Sequence, residues 1–270
     1  MTSSERSRPR PRLWPVLALG VAVVLICALA AWRPWAATPR VVADAAGEAA
    51  PAAIAPAPLA LRDHPRVLVF GDSWVYGSAA SVPTLGFAYV IAHERGWDAT
   101  VDGVRGSGYL KPGIDGPSYP ERIAALEAAL EPDLVIIEGS INDRRQPAAG
   151  YRDAVTSAWD ALAALYPGAA FVVLGPAPQV LPVEKATARI DRDLAELAAA
   201  RGWWYISPLR EAWITEANYL SVIDTSPLGN DHPSTAGHAY LAERLGEALD
   251  AISGTVATAD GTSPSDFDRP

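Results

Sequence analysis

One serine of the chain stands where a nucleophile could be exposed. The apolar, β-branched run RVLVF at 66–70 is typical of a buried strand, and Ser73 follows it on the glycine-containing turn GDSW. A serine hydroxyl at a strand end, with a helix N-terminus behind it to favour negative charge, is well placed for nucleophilic catalysis. Asp-Ser pairs also form ordinary turns and helix caps, so Asp72 and Ser73 alone do not decide between these interpretations.

A histidine that could activate this serine stands near the other end of the folded sequence, in NDHPSTAGH at 230–238. His232 precedes the last helix-period segment, in which leucine recurs every four residues from Leu241. A histidine at a helix entry is held rigidly and can serve as general base. His238 lies six residues further on and does not share a helical face with His232, which disfavours a metal site. We expect His238 to be a packed or surface helix residue.

Two further segments carry groups that can stabilise a developing oxyanion. Asn142, in EGSIND at 138–143, follows another apolar run and can donate its side-chain amide. The loop GVRGSGY at 103–109 can donate backbone N–H groups from Gly106 or Gly108. This loop lacks the lysine and the spacing of a phosphate-binding loop. Each signal is weak alone, because Asn-Asp pairs are also common in turns and helix caps.

Together, the four segments resemble the ordered motifs of the SGNH hydrolase family, the GDSL-type esterases and lipases. The matching motifs are GDS at 71–73, the glycine loop around 106, G-x-x-N-D at 139–143, and H-P followed by G-H at 232–238. The resemblance covers about residues 66–250 and implies a serine esterase with Ser73 as nucleophile and His232 as base. It also implies an oxyanion hole formed by the N–H groups of Ser73 and Gly106 and by the Asn142 amide. No metal or organic cofactor is implied.

The sequence departs from the family at the third member of the triad. The family places an aspartate three residues before the histidine, and Gly229 occupies that position here. We take Asp231 as the predicted triad acid, although it adjoins His232 and adjacent side chains point in different directions. Asp224 is the alternative acid, and a Ser-His dyad supported by a backbone carbonyl is a further one. The missing aspartate also leaves open a catalytically silent binding module that has kept the fold.

The segments between residues 66 and 253 predict an α/β fold. Apolar or β-branched runs lie at 66–70, 99–104, 133–139, 170–175 and 203–207. Runs of this kind indicate strands buried on both faces of a parallel sheet. Helix-period segments lie at 84–95, 119–130, 148–166, 183–201 and 234–251. We therefore predict a three-layer α/β/α sandwich with a five-stranded parallel sheet, the flavodoxin-like SGNH fold, with its site at the carboxyl ends of the strands.

The N-terminal part of the chain predicts a membrane anchor. Four arginines within residues 1–12 precede the uncharged run LWPVLALGVAVVLICALAAW, which is long enough to span a bilayer as a helix. The positive-inside rule then leaves the N-terminus in the cytoplasm and the domain outside. The expected segments are a basic tail (1–12), a transmembrane signal-anchor (13–36), an Ala/Pro-rich linker (37–65), the hydrolase domain (66–253) and a disordered tail (254–270). The alternative is cleavage after Ala28-Leu29-Ala30, which would give a secreted protein.

The amino-acid composition of the chain limits the classes of molecule that it is expected to bind. The formal net charge is −9 despite the basic N-terminus, which argues against nucleic-acid binding by the folded part. The one cysteine, Cys27, lies in the apolar run, so the domain has neither a disulfide nor a cysteine-based zinc site. The expected partners are an ester substrate (a small molecule, glycan or lipid) and the membrane. Hydrolysis and O-acyl transfer to a sugar hydroxyl by the same serine both remain open.

Overall fold

The computed structural model of the chain describes residues 55–254 and shows five parallel strands covered by helices on both faces. The strands are β1 (Arg66–Gly71), β2 (Asp98–Gly103), β3 (Leu134–Glu138), β4 (Ala170–Leu174) and β5 (Trp204–Ile206). Their order in the sheet is β2-β1-β3-β4-β5, and every neighbouring pair is parallel. All of β3 and all but the first residue of β1 are buried, as expected for strands covered on both faces. The predicted three-layer α/β fold is confirmed.

The helices form the two outer layers of the sandwich. They are α1 (Ser73–Tyr76), α2 (Phe87–Glu94), α3 (Tyr119–Ala124), α4 (Tyr151–Leu165), α5 (Lys185–Arg201), α6 (Tyr219–Val222) and α7 (Thr235–Ile252). Successive residues of β1 belong to two different apolar clusters, because side chains alternate between the faces of a strand. Val69 packs on the side of α2 and α7, and Phe70 packs on the side of α4 and α5.

Two predicted helices are shorter than expected. The segment 84–95 begins as a separate 3₁₀ turn at Pro83–Leu85, and α2 starts only after Gly86, whose backbone is extended. The segment 119–130 is interrupted after α3, and a second 3₁₀ turn covers Ala128–Leu130. Glu131 then adopts a left-handed conformation and ends that turn, in keeping with the poor tolerance of helical backbone before a proline.

A short antiparallel ribbon, which the sequence analysis did not predict, carries the candidate base. Strands β6 (Ile223–Asp224) and β7 (His232–Pro233) pair so that Asp224 lies opposite His232. Immediately after β7, Ser234 caps α7 by accepting a hydrogen bond from the N–H of Gly237 at 3.0 Å. His232 is therefore fixed between the ribbon and the start of a long helix.

Within residues 55–254, no helix combines the length and apolar character needed to span a membrane. The predicted anchor at 13–36, the linker up to residue 54 and the tail beyond residue 254 lie outside the described residues.

Candidate active site

Ser73 opens helix α1 at the carboxyl end of β1. The preceding Asp72 caps this helix, and its Oδ1 accepts a hydrogen bond from the Trp74 N–H at 2.9 Å. As the first helical residue, Ser73 has a backbone N–H with no acceptor in its own helix. Its side chain is largely enclosed, and its Oγ lies 2.9 Å from Nε2 of His232. The structure thus brings together the predicted nucleophile and the predicted base.

The other nitrogen of the His232 ring fixes the state of the imidazole. Nδ1 lies 3.0 Å from the carbonyl oxygen of Gly229. A carbonyl oxygen can only accept, so Nδ1 carries the proton and Nε2 is left to accept from the Ser73 hydroxyl. This tautomer is the one that a general base for serine requires.

The expected triad acid, Asp231, is not brought to the imidazole, and this prediction needs correction. The carboxylate of Asp231 makes no hydrogen bond among the described residues, and its backbone N–H donates to the Asp224 carbonyl at 3.1 Å. The physical reason is that the two side chains are adjacent in sequence, and Asp231 has a left-handed backbone with a φ of 58°. The alternative acid, Asp224, uses its carboxylate to accept the Ser226 N–H at 2.9 Å. Neither carboxylate hydrogen-bonds His232.

The position that holds the family's aspartate has no room for a side chain here. A Cβ atom added to Gly229 would lie 2.2 Å from Cγ of Asp224, well inside van der Waals contact. Asp224 therefore occupies the space that a residue 229 side chain would enter. The arrangement matches the alternative of a Ser-His dyad whose base is held by a backbone carbonyl.

This geometry predicts that neither neighbouring aspartate is essential. Asp231→Asn and Asp224→Asn should each change kcat for an aryl ester by less than about threefold, because neither carboxylate stabilises the imidazolium directly. Initial rates at neutral pH check this. A loss of about tenfold or more in Asp231→Asn alone would show that this carboxylate reaches the imidazole in the working enzyme.

The glycine loop offers one free backbone donor beside the nucleophile. Among the described residues the N–H of Gly106 has no acceptor, and Gly106 lines the cavity above Ser73. The N–H of Gly108 instead donates to the Lys111 carbonyl at 2.8 Å. Of the two glycines considered from sequence, the geometry favours Gly106 for the oxyanion hole.

The side-chain amide of Asn142 lines the same cavity. Its Nδ2 lies 2.8 Å from Oδ2 of Asp72, 3.0 Å from the Ser107 carbonyl and 3.1 Å from Oγ of Ser140. Both amide hydrogens therefore have acceptors already, and donation to an oxyanion requires one of these hydrogen bonds to be exchanged. The Asp72 carboxylate and the Ser107 carbonyl hold the amide group beside the nucleophile.

Asp143 anchors the glycine loop, a role that sequence analysis missed. Its carboxylate accepts the N–H groups of Tyr109, Leu110 and Lys111 at 2.7, 3.1 and 3.1 Å. A Cβ on Gly108 would lie 2.6 Å from an Asp143 carboxylate oxygen, so only glycine permits this close approach. The available signal was the aspartate that directly follows Asn142 in the N-D motif.

A second missed feature is a pair of buried carboxyl groups behind the nucleophile. Oε2 of Glu138 accepts the backbone N–H of Asp72 at 3.2 Å, and the Tyr119 hydroxyl donates to the same oxygen at 3.3 Å. Burial and the Asp72 charge raise the pKa of Glu138 well above its usual range. Burial also raises the pKa of Asp72, while hydrogen bonds from Trp74 and Ser140 favour its charged form. Of the two carboxyl groups, Glu138 therefore holds its proton more strongly.

The raised pKa of Glu138 has a consequence for stability. Above the usual pKa of a glutamate, the folded state binds more protons than the unfolded state, so stability falls as pH rises. Glutamine mimics the protonated acid without titrating. The free energy of unfolding of the wild type, minus that of Glu138→Gln, should therefore decrease from about pH 4.5 to pH 8.

Denaturant unfolding of both proteins across this pH range measures the difference. Glu216→Gln is the matched control, because Glu216 is exposed and has no hydrogen-bond partner among the described residues. A wild-type minus Glu138→Gln difference that does not vary with pH would contradict the assignment of the proton to Glu138.

His238 has a structural role, because both nitrogens of its ring hydrogen-bond the main chain. Its ring is fully buried, with Nε2 donating to the Ser78 carbonyl at 3.0 Å and Nδ1 accepting the Phe87 N–H at 3.2 Å. Burial lowers the pKa of His238 to about 4, so the ring is neutral at pH 7. Of the two places expected for His238, packed or on the surface of the helix, the structure shows the packed one. The contacts of His238 connect α7 to the segments around α1 and α2.

The nucleophile, base and oxyanion donors open onto one cavity of about 650 Å³. Within residues 55–254, no cluster of three or more His, Cys, Asp or Glu side chains is arranged to hold a metal ion. A serine hydrogen-bonded to a histidine, beside free N–H donors at the strand ends of an α/β/α sandwich, defines a serine hydrolase of the acyl-transferring kind.

Comparison with known families agrees with this class. The model of the GDSL-like lipase/acylhydrolase family matches residues 69–240, and the chain belongs to this family. The chain is therefore a carboxylic ester hydrolase of the SGNH type. No curated protein matches the chain in sequence.

Solved structures with the same fold include three named enzymes. An aryl esterase from M. smegmatis is 19% identical with a TM-score of 0.51, and the match covers 69% of this chain and 98% of that one. A carbohydrate esterase family 2 enzyme from Corynascus thermopiles is 20% identical with a TM-score of 0.52, covering 74% and 68%. The salicylyl-acyltransferase SsfX3 from a tetracycline biosynthetic pathway is 16% identical with a TM-score of 0.53, covering 71% and 56%. At these identities the likeness concerns the fold.

Proposed function

We propose that this protein is an extracytoplasmic serine esterase that removes short acyl groups, such as O-acetyl, from glycans or lipids through an acyl-enzyme. Membership of the GDSL-like family supports carboxylic ester hydrolysis. The single observation that carries the mechanism is the 2.9 Å contact between Ser73 Oγ and His232 Nε2 beside the oxyanion donors.

The geometry supplies each step of acyl transfer. His232 Nε2 takes the proton of the Ser73 hydroxyl while Oγ attacks the ester carbonyl carbon. The resulting oxyanion accepts hydrogen bonds from the N–H groups of Ser73 and Gly106 and from the Asn142 amide. The imidazolium then returns its proton to the departing alcohol, which leaves an acyl-serine. Water, deprotonated by the same nitrogen, repeats the attack and releases the acid.

Acyl-chain length is a direct test of the proposed substrate class. We expect kcat/KM for 4-nitrophenyl esters to be highest for acetate and to fall for butyrate and octanoate. Release of acetate from acetylated glycan or lipid fractions, followed by mass spectrometry, then identifies the natural acceptor. A preference for octanoate over acetate would contradict the short-chain assignment.

The acyltransferase alternative uses the same serine with a sugar hydroxyl in place of water. A salicylyl-acyltransferase has the same fold, so acyl transfer is the second candidate function. Hydrolysis predicts that free acid stays the main product when a sugar acceptor is added in excess. Acylated sugar as the main product would assign transferase activity. The assembled Ser73–His232 pair argues against the silent binding module.

The proposed location rests on the apolar run at 13–32 behind four arginines. Expression of the full chain with an epitope tag at each end should give one membrane-bound species that carries both tags, since an anchor is not cleaved. Protease added outside the cell should digest the C-terminal tag and spare the N-terminal one. A soluble product that has lost the N-terminal tag would favour the cleaved, secreted form.

A further inference from the structure

The cavity above Ser73 and His232 has a charge balance opposite to that of the chain. The chain has 31 Asp and Glu residues against 22 Lys and Arg residues. Of the residues that the structure describes, four cationic side chains and two carboxylates line the cavity: Arg105, Lys111, Arg144 and Arg145 against Glu184 and Asp231. A cleft lined mainly by one sign of charge focuses the potential and concentrates ligands of the opposite sign. This excess of positive charge lies in the same cavity as Ser73 and His232.

Two of the four cationic side chains that line the cavity, Arg144 and Arg105, form ion pairs with carboxylates. Nε of Arg144 lies 2.7 Å from Oε2 of Glu184, and its side chain is mostly buried. Arg105 forms a two-pronged ion pair with Asp115, at 2.5 and 2.9 Å. These pairs fix the shape of the cavity and leave little net charge of their own.

The other two cations have no acidic partner among the described residues. Nζ of Lys111 donates to the Gly106 carbonyl at 2.7 Å, which leaves two of its three N–H bonds unused. Arg145 is exposed and has no hydrogen bond or ion pair with any residue in the range 55–254. Their positive charges are therefore available to a ligand in the cavity.

Both free cations stand beside the oxyanion donors. The Lys111 ammonium donates to the carbonyl of Gly106, which lines the cavity, and Arg145 ends the same 3₁₀ turn that carries Asn142. The wall formed by residues 228–232, which holds His232, contributes Asp231 and no cation. The charge is therefore placed to hold a substrate group while the ester carbonyl occupies the oxyanion hole.

Building on the esterase function proposed above, we propose that the preferred substrate is an ester carrying an anionic group, a carboxylate or phosphate, bound by Lys111 and Arg145. Lysine provides a compact charge, and the unpaired guanidinium provides a planar set of donors that matches either anion. A neutral ester of the same shape lacks both contacts.

Matched ester pairs test this with the full-length protein. The pairs are 4-nitrophenyl hydrogen adipate, 4-acetoxybenzoate and 4-acetoxyphenyl phosphate, each with its neutral methyl or dimethyl ester. We expect kcat/KM for the anionic member to exceed that of the neutral one by about tenfold in at least one pair, and this ratio to fall with added salt. The pairs also show whether the anion is a carboxylate or a phosphate and on which side of the ester it lies.

Variants connect the preference to the two side chains. Lys111→Gln and Arg145→Gln should each lower the anionic-to-neutral ratio by about three- to tenfold, and the double variant should abolish the preference. The ratio is the readout because any general damage to the Gly106 loop affects both esters of a pair. Arg192→Gln is the matched control, since Arg192 is exposed on α5, has no ionic partner among residues 55–254 and does not line the cavity.

The outcomes separate this inference from the function on which it rests. Equal turnover of anionic and neutral esters in all pairs overturns the anion site and leaves the esterase intact. A preference that survives in the double variant also overturns the assignment to Lys111 and Arg145. Failure to turn over any ester overturns the proposed function itself.

Discussion

Replacing Ser73 by alanine is expected to lower kcat for an aryl ester by at least about 10⁴-fold and to abolish labelling by a fluorophosphonate probe. No acyl-enzyme can form without Oγ, and the Ser73 hydroxyl is the one that His232 Nε2 contacts, at 2.9 Å. Stopped-time assays measure the loss of rate. Mass spectrometry of the digested wild type should place one adduct on the GDSW peptide.

Two further variants make this result specific. His232→Ala should also suppress labelling strongly, because the hydroxyl proton then has no acceptor. Ser78→Ala is the matched control: Ser78 lines the same cavity, but its hydroxyl has no hydrogen-bond partner in the described part of the chain, and labelling should persist. Labelling that survives in Ser73→Ala would refute the assignment of the nucleophile. A correctly folded wild type that takes no label would favour the silent binding module.

Asn142→Ala is expected to lower kcat by about 10²- to 10³-fold with little change in KM. The amide donates to the oxyanion only as negative charge develops, so its loss weakens binding of the transition state more than binding of the substrate. Asn142 sits beside the nucleophile because Asp72, Ser107 and Ser140 hold its Nδ2 within 3.1 Å. Steady-state kinetics with one aryl ester separates kcat from KM.

Gln179→Ala is the comparison for this effect. Gln179 is another carboxamide of the cavity lining, but it bonds the Arg144 side chain and the Asn230 carbonyl. Because its amide is engaged away from the oxyanion hole, kcat should change by less than about threefold. A variant Asn142→Ala with raised KM and unchanged kcat would instead assign Asn142 to ground-state binding.

Much of the fold is predictable because its signals are local. An apolar run such as that of β3 is readable from consecutive residues, since a strand covered on both faces needs an apolar side chain at nearly every position. Parallel strands end at one edge of the sheet, so the segments carrying Ser73 and Asn142 are expected to meet there. His232 is predictable from its motif and from its position before a strongly periodic helix.

The parts that sequence did not predict depend on contacts between distant residues. The raised pKa of Glu138 depends on burial and on its closeness to Asp72, 66 positions away in the chain. The partner of the His232 ring is a main-chain carbonyl, and any residue supplies one, so no residue type marks it. The sequence pattern therefore favoured an acidic side chain, Asp231, whose carboxylate makes no hydrogen bond to the ring.

Because the carbonyl of Gly229 orients His232, the substitutions that the site tolerates differ from those of a site with a triad aspartate. A carboxylate that orients a base is lost by a single codon change, whereas a main-chain oxygen is kept through every substitution that preserves the path of the chain. That path passes through Asn230 and Asp231, both left-handed with φ of 48° and 58°. Asparagine, aspartate and glycine accept this conformation, and β-branched residues do not. Substitutions at these two positions are thus limited by the backbone conformation and not by charge. Residue 231 can therefore lose its acidic side chain without loss of the hydrogen bond that orients His232.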